Sequence, residues 1–214
     1  MLNEEFNETG RRGILLVITA PSGAGKSTLL ARLCATVDNV EFSVSYTTRP
    51  PRSGEQNGRE YHFISTEEFE HRRARNEFLE WAHVHNNYYG THRESVEQTL
   101  RIGKDIVLDI DVQGAAQVRK AIPEAVQVFI LPPSFAVLSE RLRRRGLDSQ
   151  EIINQRLRVA AAEVARYQEF DYIIINDDLD TAANTLTMLV RAERQRPFRI
   201  EKKIQNILSS FKES

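Results

Sequence analysis

The sequence holds a single cysteine, Cys34, among 214 residues. That excludes an internal disulfide framework and fits a reducing compartment; Cys34 reads as a small buried hydrophobe on a helix. Long apolar runs are missing as well. The longest, Ile14 to Ala20, falls far short of the roughly 20 residues a membrane span needs. Positions 1–12 are polar and carry acids, so no signal peptide is read there and a cytoplasmic location is expected. An excess of one charge is also absent: 29 Lys and Arg face 30 Asp and Glu, for a formal net charge of -1. Neither a membrane nor a nucleic acid is therefore expected as a partner, and any grip on phosphates must come from local clusters of Arg and Lys. Internal repeats and low-complexity tracts are lacking too.

What is present alternates. Ile14 to Ala20 is an unbroken run of mostly β-formers, as in a strand buried on both faces of a parallel sheet. Similar strands are expected at 105–110, 126–131 and 172–175. Helical spacing marks 27–35, 115–121, 134–144, 151–169 and 180–194. Strands alternating with helices imply a parallel α/β core. The stretch from Phe42 to Tyr89 differs, with short strands, frequent turns and a helix starting at a Ser65/Glu68 capping box. It reads as a small mixed α+β insert. A second insert, rich in arginine, spans about 139–158, and Asp148 with Glu151 forms a further expected cap. The domain reading is a core of 13–44 and 93–198, an acceptor insert of 45–92 and a tail of 199–214. In the tail, Ile200, Ile204, Ile207, Leu208 and Phe211 share one helical face. Packing on the chain's own core is expected for that face, with a homo-oligomer contact as the alternative.

The strongest motif is Ala20-Pro21-Ser22-Gly23-Ala24-Gly25-Lys26-Ser27-Thr28, which follows a strand and opens a helix. It is a Walker A loop, so the core is read as that of a P-loop NTPase. Glycines 23 and 25 let successive N–H groups curl around phosphate oxygens, and the helix N-terminus adds positive character. Lys26 reaches the β- and γ-phosphates of ATP, and the Ser27 hydroxyl suits Mg²⁺. The usual first glycine is Ala20 here, which a strand conformation tolerates. Such a loop fixes only that a nucleotide is bound.

Two further groups carry chemistry. Asp109 and Asp111 stand at the C-terminal end of a buried strand, where ligands bind in open α/β sheets, and either could fix Mg²⁺. Arg49 and Arg52, beside hydroxyl groups, suit a second phosphate, although a basic surface loop would show the same composition.

Five segments resemble guanylate kinases in the family's order: Ser45 to Glu55 with Gly58 to Phe63, Glu77-Phe78-Leu79-Glu80-Trp81, Asn87-Tyr88-Tyr89-Gly90-Thr91, Leu108 to Gly114, and Ile175-Asn176-Asp177-Asp178-Leu179. With the P-loop and the arginine-rich insert they span about Ile14 to Arg191. The resemblance implies an ATP:GMP phosphotransferase, with GMP and dGMP as acceptors, an NMP-binding insert and a helical lid. It implies that Arg49, Arg52, Tyr61 and Tyr89 hold the GMP phosphate with Ser45 nearby. By the same resemblance Glu80 and Thr91, helped by Asp109, read guanine, and Arg141, Arg145 and Arg156 are lid arginines. Asn176 and Asp177 then lie near adenine. Thr91 departs from the family's frequent serine but keeps the hydroxyl. A related kinase for another small acceptor would lack the guanine-reading pair, and a non-catalytic binding module of this kind would have lost the phosphate loop.

Overall fold

The computed structural model describes residues 10–84, 86–144, 146 and 149–212. Its centre is a parallel five-stranded sheet in the order β2-β7-β1-β8-β9. The strands are β1 (Leu15–Thr19), β2 (Val40–Phe42), β7 (Asp105–Asp109), β8 (Val126–Leu131) and β9 (Tyr172–Ile175). Every residue of β1 is buried, and alternate side chains go to opposite faces. Leu16 and Ile18 pack with Leu29, Leu33, Leu186 and Val190 of α1 (Lys26–Thr36) and α7 (Leu179–Glu193). Leu15 and Val17 pack instead with Val96 and Leu100 of α3 (Arg93–Arg101) and Ala115 and Val118 of α4 (Val112–Ala121). This two-sided burial is why the run is continuously apolar rather than alternating.

A separate four-stranded sheet, ordered β4-β3-β6-β5, is built from β3 (Tyr46–Thr47), β4 (His62–Phe63), β5 (Phe78–Val84) and β6 (Asn87–His92). The helix α2 (Thr66–Ala74) belongs to the same stretch and is capped by Ser65, whose hydroxyl accepts from Glu68 N–H at 3.1 Å. Leu79 of β5 joins the core cluster behind Leu15 and Val17, so this sheet is anchored on the α4 side. Two helices, α5 (Phe135–Arg144) and α6 (Gln150–Val164), share a small apolar cluster of Leu138, Leu142, Ile153, Leu157 and Ala160.

Several expectations need correction. The short edge strand β2 and the helix α3 have no counterpart in the sequence reading; α3 is only two and a half turns long and mostly polar. The cap of α6 is Ser149, which accepts from Ile152 N–H, whereas the expected Asp148 lies outside the described residues. The helix expected to run to 169 ends at Val164, and a separate 3₁₀ turn covers Tyr167–Glu169. Cys34 is exposed on α1. The tail helix α8 (Glu201–Ser210) buries no residue, and Ile207, Leu208 and Phe211 are exposed. Burial of that face on the core is therefore not found among the described residues, where Ile200 and Ile204 are only half-buried.

Asp105 joins the N-terminal approach, the sheet and α7. It is 1% exposed and accepts from Arg11 Nη1 (2.6 Å), Ile14 N–H (2.9 Å) and Arg194 Nε (2.8 Å). Removing one member of a buried charged network strands the others. Asp105→Ala is expected to lower unfolding free energy by about 3–5 kcal/mol in urea titration; a loss below about 1 kcal/mol would contradict this role.

Candidate active site

The phosphate loop connects β1 to α1. Its positive φ angles fall on Gly23 (94°) and Gly25 (93°), and Ala20 is not among the residues with positive φ. The β-carbon at the departed position is thus accommodated. Gly25 caps α1 without a side-chain hydrogen bond, which leaves the first-turn N–H groups for an anion. A β-carbon on Gly25 would collide with the Asn176 amide. Asn176 is itself buried and donates from Nδ2 to Ala24 O at 2.7 Å. It braces the loop from behind, while Asp177 is exposed beside it.

Two arginines, one from α5 and one from α6, bond the loop and the Asn176 that braces it. Arg156 Nη1 donates to Ser22 Oγ at 3.3 Å, and Arg141 Nη2 donates to the Asn176 carbonyl at 3.0 Å. Gly23 lies against Leu138 and Leu142, so α5 packs directly on the loop. Arg145 lies outside the described residues.

The two strand-end acids have different surroundings. Asp109 forms an ion pair with Lys26. Asp111 caps α4, its Oδ1 accepting from Gln113 N–H (2.9 Å) and Gly114 N–H (2.8 Å). The acid beside the P-loop lysine is therefore Asp109; its carboxylate and the hydroxyl of Ser27, the residue after that lysine, are hard oxygen donors of the kind Mg²⁺ takes.

The acceptor sheet gathers the second set. Arg49 Nη2 donates to both Glu55 oxygens (2.9 and 3.0 Å), and its guanidinium lies 5.4 Å from the Tyr61 ring centre. Tyr61 and Tyr89 meet edge to face at 5.8 Å. Glu55 also accepts from Arg52 N–H at 2.7 Å, which folds the loop so that the Arg52 side chain is exposed. These bonds hold the Glu55 carboxyl below its ordinary range, chiefly through Arg49. Ser45 is half-buried on the same sheet, its carbonyl accepting from His62 N–H at 2.9 Å.

Glu80 and Thr91 are cross-strand partners on β5 and β6, 4% and 0% exposed. Thr91 Oγ1 donates to Glu80 Oε1 at 2.6 Å. The pairing register shifts between Phe78 and Glu80, so three successive residues of β5 are buried. Burial is the main reason that the Glu80 carboxyl is pushed up to about 7; Asp111 adds to the rise and the Thr91 bond opposes it.

Sequence reasoning gave Glu55 no role and did not single out Gln117, whose amide bonds the backbone of Trp81. Glu55 stood inside a recognised segment, and an acid six residues from an arginine carries no periodic signal. Gln117 pairs with a residue 36 positions away, a relation invisible in one sequence.

The family model for guanylate kinase matches residues 12–193. The chain is similar to "Guanylate kinase" of Aromatoleum aromaticum, 54% identical over 86% of this chain and 90% of that protein. It is similar to the protein of the same name from Carboxydothermus hydrogenoformans, 47% identical over 90% and 95%. Among solved structures, the guanylate kinase of Anaplasma phagocytophilum superposes with a TM-score of 0.70 at 34% identity, over 88% of this chain and 90% of that one.

Glu80 yields a stability prediction with a definite sign. Its folded value near 7 exceeds its ordinary 4.5. Stability from the buried neutral acid is complete below about pH 4.5 and is lost as pH rises through about 7. Glu80→Gln escapes that loss. The variant is expected to match wild type near pH 4 and exceed it by about 3 kcal/mol at pH 8.5 in chemical denaturation; a difference independent of pH would contradict the burial argument.

Proposed function

The chain belongs to the guanylate kinase family, and from that premise we propose which of its residues carry the chemistry. The reaction itself is transfer of the γ-phosphoryl group of ATP to GMP, giving ADP and GDP. The two separate sheets support a division of labour in which the core of 13–44 and 93–198 binds ATP, the insert of 45–92 binds GMP, and the segment at about 139–158 is the lid. The tail of 199–214 lies outside both sites.

On the donor side, the N–H groups of 20–28 cradle the ATP phosphates and Lys26 exchanges Asp109 for phosphate oxygens. Ser27 and Asp109 would hold Mg²⁺, with Asp111 kept to its capping duty. When bound, that ion would supply neutralisation of the negative charge on the phosphates. Asn176 contributes by fixing the loop, with Asp177 at the adenine side.

On the acceptor side, Arg49, Arg52, Tyr61 and Tyr89, with Ser45 near them, hold the GMP phosphate. Glu80 accepts from guanine N1–H and N2–H₂, and the Thr91 hydroxyl turns from Glu80 to donate to O6, with Asp109 close to the base. Adenine has neither of those donors and would leave a buried carboxylate unpaired, a mismatch that can reach 10⁴–10⁵ in discrimination, to order of magnitude. By the family resemblance, dGMP is proposed as a further acceptor. The observation that carries the reading is a 4%-exposed carboxylate whose one side-chain partner among the described residues is a threonine hydroxyl.

The attacking atom is an anionic phosphate oxygen, which has no proton to lose. Catalysis is then orientation, worth roughly 7–11 kcal/mol, together with neutralisation of charge on the transferred group. Arg141, Arg145 and Arg156 supply that neutralisation as the lid closes and excludes water.

No helix among the described residues is long and apolar enough to cross a membrane. A cytoplasmic location accords with the single cysteine. The exposed apolar face of α8 supports a homo-oligomeric contact through the tail, since such a face gains by leaving water.

Lys26→Ala is expected to lower turnover at least about 10³-fold, the scale of one lost charge-stabilising group. GMP affinity, measured by calorimetry without ATP, should stay within about threefold. Lost GMP affinity together with retained turnover would contradict the assignment.

A further inference from the structure

Glu80 stands where two separately built parts of the chain meet. It is carried by β5, an edge strand of the acceptor sheet, and β5 turns its unpaired edge towards α4 of the core. Two residues of α4 approach β5 closely across this seam. A β-carbon on Gly114, in the first turn of α4, would stand 2.8 Å from Glu80 Oε2. Gly114 does not have the positive φ that would itself call for glycine; the close approach of the carboxylate is what requires it. One turn further on, Gln117 Nε2 donates to Trp81 O at 2.8 Å and Trp81 N–H donates to Gln117 Oε1 at 3.2 Å. An edge strand has backbone groups with no ladder partner, and here a side-chain amide takes the place of the next strand.

We infer that Gly114 and Gln117 are positioning residues for guanine specificity: α4 of the core, together with the acceptor sheet, sets where the base-reading carboxylate stands. The inference rests on Glu80 reading guanine. Its physical basis is tolerance. Telling guanine from adenine requires the carboxylate to face both ring donors at once, and a recognition group must be held within about 0.5 Å to do so. Thr91 fixes one oxygen of Glu80 from inside the acceptor sheet. Gly114 leaves the space that the other oxygen fills, and Gln117 locks the neighbouring backbone to the core. The first turn of α4 is capped by Asp111, two residues beyond the Asp109 that pairs with Lys26. One short segment of the core therefore touches the donor-phosphate site at one end and the base reader at the other.

Steady-state rates with GMP and with AMP, each at saturating ATP, test this on Gly114→Ala, Gln117→Ala and Glu80→Ala. Gly114→Ala displaces the end of a flexible side chain and leaves the fold in place; should it misfold, Gln117→Ala decides. For both positioning variants KM for GMP is expected to rise about tenfold or more, with kcat within about threefold and KM for ATP unchanged. The GMP-over-AMP ratio of kcat/KM is expected to fall by at least about tenfold, and further in Glu80→Ala. If Glu80→Ala collapses the ratio while both positioning variants keep it, the positioning role is overturned and base reading stands. If Glu80→Ala keeps the ratio, base reading fails and the inference fails with it. Equal losses of kcat on both acceptors, with the ratio intact, would mark a merely structural role and also overturn it.

Discussion

A carboxylate taken out of water with no cation bonded to it governs the acceptor half of this molecule. Glu80 is 4% exposed, and its side-chain hydrogen bond comes from the Thr91 hydroxyl. Burying an unpaired charge is costly, and the group responds by holding its proton up to about pH 7. A sequence optimised for stability alone would place a neutral residue there. The site instead keeps a destabilising acid, which on the proposed assignment finds its partners in the two ring donors of guanine. Binding would then supply what folding withheld, and a purine without those donors would not.

The donor half solves a related problem in the opposite way. Lys26 would be an unpaired cation inside an anion cradle, and it pairs with Asp109. Arg49 is likewise engaged by Glu55 at 2.9 and 3.0 Å. Lys26 and Arg49, both proposed to grip phosphates, thus each have a carboxylate beside them within the chain. The difference is one of selectivity. A phosphate competes with an internal carboxylate by charge and geometry, which any nucleotide offers. A base reader works by leaving its group unpartnered for all but one ring. Charge pairing therefore serves the shared chemistry of phosphoryl transfer, and lack of pairing serves the choice of acceptor.

The core was legible where a local pattern reflects a global position. The apolar run at 14–20 became β1 because both its faces are covered, and the glycines at 23 and 25 became the two positive-φ residues of the loop. Tyr89, Glu80 and Thr91 fell on the paired strands β5 and β6, with Tyr61 against Tyr89 and Arg49 against Tyr61. What stayed hidden depends on partners far away in sequence. Asp109 and Asp111 looked alike in a strand-end motif; only the fold gives one to Lys26 and the other to the α4 cap. Asn176 looked like an adenine contact, and its amide is bonded to the back of the P-loop. Periodicity found the apolar face of the tail but could not say whether the chain has a surface to receive it, and α8 buries none of its residues.

The account turns on proton exchange at Glu80. Calorimetric titration of GMP, in buffers of differing ionisation enthalpy between pH 6 and 8.5, counts the protons released on binding. Subtracting the same titration of Glu80→Gln removes the contribution of the GMP phosphate, which itself titrates near pH 6. The wild-type excess should approach about one proton at pH 6 and vanish above about pH 8.5. No excess release at any pH, or an excess uptake, would contradict the view that guanine binding draws the proton from a buried acid.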